Sequence, residues 1–172
     1  MKYNFVIDAG GYLGNTAFEF SKKGNPKIVI FEPVPEFAAY CRRRFANNPK
    51  ITVEEKAIGK ENGETTLYLH EDGTSTDKKW AENRVSVKVP VIKLSDYIKG
   101  EVGLLKLNIE GGEYDVIDDL AANGLLGNIR EITVQFHKIE GWEEKYKKAV
   151  QLLELSHKKI KGDFIWEYWI KK

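Results

Sequence analysis

Between Asn4 and Phe31 the chain reads as a buried strand, a glycine turn, a helix and a second buried strand, and this order restricts the fold more than any other feature. Phe5-Val6-Ile7 and Ile28-Val29-Ile30 are unbroken apolar runs, the pattern of strands covered on both faces. The first strand spans Asn4 to Asp8, and Gly10, Gly11 and Gly14 turn it into a helix ending near Lys23. Gly24-Asn25-Pro26 stops that helix before the strand Lys27 to Phe31. Pro35 suits a first helical turn; its helix runs to about Asn47 and leads to a third strand, Ile51 to Lys56. Strands joined in this way through helices lie parallel, with right-handed crossovers.

The period changes in the middle. Glu64 to Leu69 and Val85 to Val91 alternate, with Val85, Val87, Val89 and Val91 on one face, which predicts a half-buried strand pair. The polar stretch His70 to Asn83 between them reads as a mobile loop. Ser95 is expected to cap a short helix from Asp96 to Lys99. The parallel pattern resumes with a strand from Val102 to Asn108, a turn from Ile109 to Tyr114, a helix from Asp115 to Asn123 closed by Gly124, and a strand from Glu131 to Phe136. A helix from Trp142 to Leu155 turns Tyr146, Ala149, Val150 and Leu153 inward. Lys161-Gly162-Asp163 joins two extended segments between Lys158 and Ile170, where alternation splits Trp166, Tyr168 and Trp169 between faces. The expected fold is a three-layer α/β domain, Rossmann-like, with a mostly parallel sheet and an antiparallel C-terminal hairpin strand. Its 172 residues suit a single domain, 1–172, that buries roughly 70% of its unfolded surface without a disulfide or metal.

Charge narrows the function. Lys and Arg total 27, Asp and Glu 26, for a net charge of +1, which argues against a dedicated nucleic-acid binder and a polybasic membrane anchor. No apolar run approaches the ~20 residues of a membrane span, and the apolar stretch at the N-terminus is too short for a signal peptide. The single cysteine, Cys41, cannot form an internal disulfide. A cytoplasmic protein is expected.

A turn from strand to helix brings backbone N–H groups to the carboxyl edge of the sheet, where open α/β sheets bind ligands. A dinucleotide site asks for G-x-G-x-x-G, but here the run is Ala9-Gly10-Gly11-Tyr12-Leu13-Gly14. Asp8 beside it would repel a pyrophosphate and attract a cationic amino-acid moiety. S-adenosylmethionine (SAM) carries a sulfonium and an α-ammonium and no phosphate, so Asp8 favours it over NAD. Glu32 ends the neighbouring strand, where a carboxylate can accept both ribose hydroxyls. The expected cofactor contacts are Asp8, Ala9, Gly10, Gly11, Tyr12, Gly14, Asn15 and Thr16 from the turn, with Glu32, Pro33, Ala57 and Asn108. The bland alternative is a plain strand-to-helix turn with a surface acid.

Five motifs follow in order: the run from Phe5 to Gly14; Phe31-Glu32-Pro33-Val34-Pro35; Lys56-Ala57-Ile58-Gly59 followed by Asn62-Gly63-Glu64; Leu105-Lys106-Leu107-Asn108-Ile109-Glu110-Gly111-Gly112-Glu113; and Val134-Gln135-Phe136-His137. In this order and spacing the chain resembles, from Phe5 to about His137, the FkbM-type family of SAM-dependent methyltransferases. The resemblance implies a seven-stranded methyltransferase sheet and O-methylation, often of sugar or polyketide-derived hydroxyls, with a small molecule or glycan as acceptor. The family usually carries aspartate where Asn108 stands and often glutamate where Gln135 stands. An amide still hydrogen-bonds but cannot act as a general base. The helix that usually precedes the family's first strand has no counterpart here, so the chain reads as a piece of a longer protein or as a minimal version with an open site.

Lys106 and Asn108 lie two apart on a strand and share a face. Lys106 reads either as a cleft residue near Glu110 or Glu113 or as half of a structural ion pair. Glu110 is the expected substrate orienter; Glu113 reads equally as an acid favoured by the helix dipole. His137, with a reference pKa near ~6.5, is the expected base, or else a supporting or exposed group. Glu110, Glu113 and His137 have metal-ligand chemistry but not the spacing of a dedicated cage, so no metal is expected. His70 and His157 read as structural or solvated, and Trp80 as a clamp over the cleft or as packing. Two further readings stay open: a SAM-binding domain with reduced or lost catalysis in a multidomain glycan enzyme, and an NAD-binding oxidoreductase.

Overall fold

The computed structural model describes residues 3–70, 73–75 and 86–172. Among these residues seven strands form one sheet in the order β3-β2-β1-β8-β9-β11-β10. Its first half is the predicted alternation: β1 (Phe5–Ala9), α1 (Asn15–Lys22), β2 (Lys27–Phe31), α2 (Pro35–Arg44) and β3 (Ile51–Glu54). β1 lies parallel to both β2 and β8 (Val102–Leu107), and β8 parallel to β9 (Ile129–Gln135). The unbroken apolar runs are explained by burial on both sides. Ile7, Val29, Phe31, Leu105 and Leu107 pack with α4 (Glu113–Ala122) and α5 (Trp142–Ser156) through Ile117, Leu120 and Leu153. Val6, Ile28, Ile30 and Leu104 face the opposite layer, with Ala17 of α1 and Cys41 of α2.

A second sheet, β4-β7-β5-β6, stands apart from the first. β5 (Gly63–His70) and β7 (Ser86–Ile92) are the expected antiparallel pair, and Val89 is their buried valine. β4 (Ala57–Ile58) and β6 (Gly73–Ser75) extend it. The loop expectation for His70 to Asn83 is therefore corrected at its start, because His70 and Gly73 pair across β5 and β6. The rest of that stretch, with Trp80, and Val85 after it lie outside the described residues.

Three boundaries differ for local reasons. Ser95 is not a cap: it lies inside α3 (Leu94–Tyr97), and its N–H donates to Asp119 of α4 at 3.2 Å. α4 starts at Glu113, two residues early, because that side chain closes the preceding turn on itself. α2 ends at Arg44, short of Asn47.

The C-terminal hairpin, β10 (His157–Lys161) and β11 (Trp166–Lys171), completes the sheet, with β11 antiparallel to β9. Its inward face carries Trp169 and Glu167, a fully buried acid that accepts from Tyr146, Lys159 and the Trp169 indole. His157 is also fully buried; Nε2 bonds the Ile129 carbonyl at 2.9 Å and Nδ1 the Ser156 hydroxyl at 2.8 Å. Burial holds its pKa below the ordinary histidine value. The unfolded chain therefore takes up a proton before the folded one does. This stabilising contribution is complete above the unfolded pKa of about 6.5 and declines as pH falls toward the folded value. Urea unfolding on either side of that pH should show a smaller acid loss in His157→Gln than in the parent.

Candidate functional site

The chain order reverses at β1, whose two neighbours are β2 and β8, and ligands of open α/β sheets bind at such a switch point. The glycine turn leaves β1 there. Gly10 has φ +80°, and a Cβ on it would lie 1.8 Å from the Asn108 carbonyl oxygen; one on Gly11 would lie 2.1 Å from Ile30. Close approach of β8 and β2 thus excludes side chains at both positions. The turn brings its N–H groups to the carboxyl edge of the sheet, but four of them are engaged within the protein. Those of Gly10 and Gly11 donate to the Phe31 carbonyl (2.9 and 3.1 Å), that of Gly14 to Gly11 (2.8 Å), and that of Tyr12 to Glu32 (2.7 Å).

Beneath the turn lies a buried ion pair. Asp8 and Lys106 are register neighbours on β1 and β8, with Lys106 Nζ 3.1 Å from Asp8 Oδ1. The same ammonium donates to the carbonyls of Gly10 (2.5 Å) and Ala9 (3.3 Å). Burial pushes the Asp8 pKa up while Lys106 draws it down, and the net direction is up. Of the two readings of Lys106, the geometry is that of the ion pair: the partner is Asp8, not Glu110 or Glu113.

Above the turn opens a cavity of about 580 Å³, within the range of small-molecule sites. Of the expected cofactor residues, Gly10, Tyr12, Glu32, Pro33, Ala57 and Asn108 line it; Asp8, Ala9, Gly11, Gly14, Asn15 and Thr16 do not. Tyr12 (φ +48°) meets Phe37 edge-on at 4.6 Å. The opposite wall is the second sheet, through Ile58, Thr65, Leu67 and Val91, of which the last three were not legible in the sequence. Glu32 is 5% exposed and accepts the N–H groups of Tyr12 and of Val34 (2.9 Å). Burial raises its pKa against those bonds. Asn108 Oδ1 is buried without a hydrogen-bond partner among the described residues, although Asn108 lines the cavity. Such an orphan acceptor calls for a donor on whatever fills the space.

The turn from β8 into α4 and the end of β9 carry the remaining candidates. Glu110 lines the cavity with its backbone in the left-handed region, φ +56°, a conformation that clusters at functional sites. Glu113 is fully buried and accepts the N–H groups of Ile109 (2.8 Å) and Gly111 (3.0 Å). His137 does not line the cavity; its Nδ1 lies 2.9 Å from Glu113 and its Nε2 3.5 Å from Glu110. Burial lowers the His137 pKa, but the hydrogen bond and charge of Glu113 and the charge of Glu110 outweigh it, and the net direction is up. Glu110 is raised by burial, against His137. Gln135 pairs with Trp166 of β11 and is not a lining residue. Among the described residues no three His, Cys, Asp or Glu side chains are placed to hold a metal ion, and no helix is long and apolar enough to cross a membrane.

The family model described as methyltransferase FkbM domain matches residues 8–162. A protein of Beauveria bassiana (strain ARSEF 2860) named Methyltransferase 1 is 31% identical over 147 residues, covering 68% of this chain and 58% of that one. Among solved structures, methyltransferase FkbM from Methylobacillus flagellatus KT superposes with a TM-score of 0.64 at 12% identity, over 98% of this chain and 44% of that one. A putative rRNA-methylase from Clostridium thermocellum gives 0.57 at 14% identity, over 98% and 89%. The chain thus spans less than two thirds of the length of the Beauveria and Methylobacillus proteins, and the two structures show the shared fold.

Proposed function

The chain belongs to the methyltransferase FkbM domain family, and on that premise we propose that it is a SAM-dependent O-methyltransferase acting on a hydroxyl of a sugar, glycan or similar small molecule. The observation that carries this reading is the cavity over the glycine turn, lined by the buried acid Glu32 and by Asn108, whose Oδ1 is buried without a partner among the described residues. In this reading Glu32 receives the ribose hydroxyls, using the lone pairs that Tyr12 and Val34 leave free. Pro33, Ala57 and Ile58 flank the adenine, and Gly10 and Asn108 meet the amino-acid half, whose ammonium is the donor Oδ1 lacks. SAM, when bound, supplies an electrophilic methyl group. The N–H groups of Gly10, Gly11, Tyr12 and Gly14, all engaged within the protein, make no phosphate cradle, which speaks against NAD.

The chain's own part in the reaction is to hold the acceptor oxygen in line and to take its proton. Glu110 borders the cavity and His137 stands behind it, so the pair is the proposed proton acceptor, with Glu110 also orienting the hydroxyl. Asn108 cannot serve as base, which keeps a second reading: a SAM-binding domain with reduced catalysis. A net charge of +1 supports a small acceptor over nucleic acid, and the lone cysteine fits a cytoplasmic setting. Residues 1–172 are taken as one domain.

Glu32→Ala should weaken SAM binding by about 1.5–3 kcal/mol, the value of charge-assisted hydrogen bonds; unchanged affinity would remove Glu32 from the site. Methyl transfer from labelled SAM to a panel of sugars and glycans, with an RNA arm, tests the acceptor. Labelled sugar product supports the proposal. Labelled RNA alone overturns the acceptor class, and SAM binding with no transfer favours the second reading.

A further inference from the structure

Three titratable groups stand in a row where the β8–α4 turn meets the segment after β9, Glu110 and Glu113 from the former and His137 from the latter, and the methyl transfer proposed above engages only Glu110 and His137. The inner one, Glu113, is fully buried. Its Oε1 accepts the Ile109 N–H and lies 2.9 Å from His137 Nδ1, while its Oε2 accepts the Gly111 N–H. The other ring nitrogen, Nε2, is 3.5 Å from Glu110 Oε2. Resting on the methyltransferase reading, we propose that Glu113 is a positioning residue: it fixes the His137 ring with its hydrogen on Nδ1, so that Nε2 and the Glu110 carboxylate together receive the proton of the acceptor hydroxyl.

The tautomer follows from donor and acceptor arithmetic. An ionised carboxylate only accepts, so the nitrogen 2.9 Å from Glu113 must carry the hydrogen. The neutral ring then turns the Nε2 lone pair toward Glu110 Oε2, also a lone-pair donor, and one proton between them relieves the repulsion. Glu113 from α4 and Glu110 from the turn are the charged groups that face the ring. Tyr114 of α4 donates to the His137 carbonyl at 2.8 Å, not to the ring, and the adjacent Lys138 ammonium lies over the Trp142 ring. Glu113 also holds the N–H groups on both sides of Glu110, and so maintains the left-handed backbone that carries the outer carboxylate.

The proton count closes. When SAM is bound, its methyl–sulfur bond would break, leaving a neutral thioether, as the acceptor oxygen took the methyl group; the acceptor proton would pass to Glu110 and be shared with Nε2. The ring becomes an imidazolium between two carboxylates. The proton leaves to solvent through Glu110, whose side chain is 46% exposed.

Nitrogen-15 NMR of the histidine rings in the full chain, titrated through neutral pH, tests this in the parent, Glu113→Gln and Glu110→Gln. In the parent, neutral His137 should carry its hydrogen on Nδ1 and titrate above ~6.5. In Glu113→Gln the negative charge beside Nδ1 is gone, so the midpoint falls by about one pH unit. Glu110→Gln should keep the tautomer and lower the midpoint. Unchanged His157 signals report an intact fold. A parent ring with its hydrogen on Nε2, or an unchanged midpoint in folded Glu113→Gln, overturns the proposal. Should Glu113→Gln fail to fold, the parent tautomer and the Glu110→Gln midpoint decide. These readouts need no methyl transfer, so the relay and the methyltransferase reading fail separately. With an acceptor that turns over, Glu113→Gln should move the acid limb of the rate profile to lower pH; an unmoved limb contradicts the coupling.

Discussion

Replacing Lys106 with methionine should destabilise the protein by about 3–5 kcal/mol, the cost of leaving a buried charge without its partner. Asp8 is fully buried, and the Lys106 ammonium is 3.1 Å from it. The substitution also takes the donor from the Ala9 and Gly10 carbonyls, so the start of the glycine turn is released together with the charge. Asp8→Asn combined with Lys106→Met removes both charges and should recover most of the loss. Urea unfolding at neutral pH measures both. A loss under about 1 kcal/mol for the single variant, the level of an exposed pair, would show that the turn is held by its other contacts.

The second large effect is on turnover. Glu110→Gln keeps the shape of the side chain but removes the carboxylate at the cavity, and His137→Ala removes the ring behind it. Each should lower the rate by about 10²-fold or more, with SAM affinity retained. The base must be unprotonated, and the two carboxylates raise the His137 pKa. The rate should therefore fall with falling pH through a midpoint above the ordinary histidine value. Near-normal turnover in both variants would mean that positioning of the acceptor alone suffices.

Legibility in the sequence tracked the range of the interactions. β2 was read to the residue, because a strand buried on both faces leaves an unbroken apolar run between breakers. The β5–β7 pair announced itself by alternation, whereas β4 has two residues and no period to read. Glu32 was legible as an acid at a strand end. Its bonds to Tyr12 and Val34 were not, since they depend on how the turn folds back. Lys106 could not be assigned between two partners because its actual one, Asp8, comes from a strand far away in the chain. The Thr65, Leu67 and Val91 wall was invisible for the same reason: which sheet faces the switch point is a matter of packing, not of local pattern. The helix N-terminal position of Glu113 is legible in the sequence, but its bonds to the Ile109 and Gly111 N–H groups are not, since they depend on the left-handed turn at Glu110 that they hold.

On the reading proposed above, the cavity over the glycine turn takes a sulfonium nucleoside rather than a dinucleotide. Titration calorimetry of the full chain with SAM, its demethylated product and NAD tests it directly. SAM and the demethylated product should each bind saturably, one to one, with the binding lost in large part in Glu32→Ala and no saturable heat from NAD. Saturable NAD binding with none for SAM would contradict it.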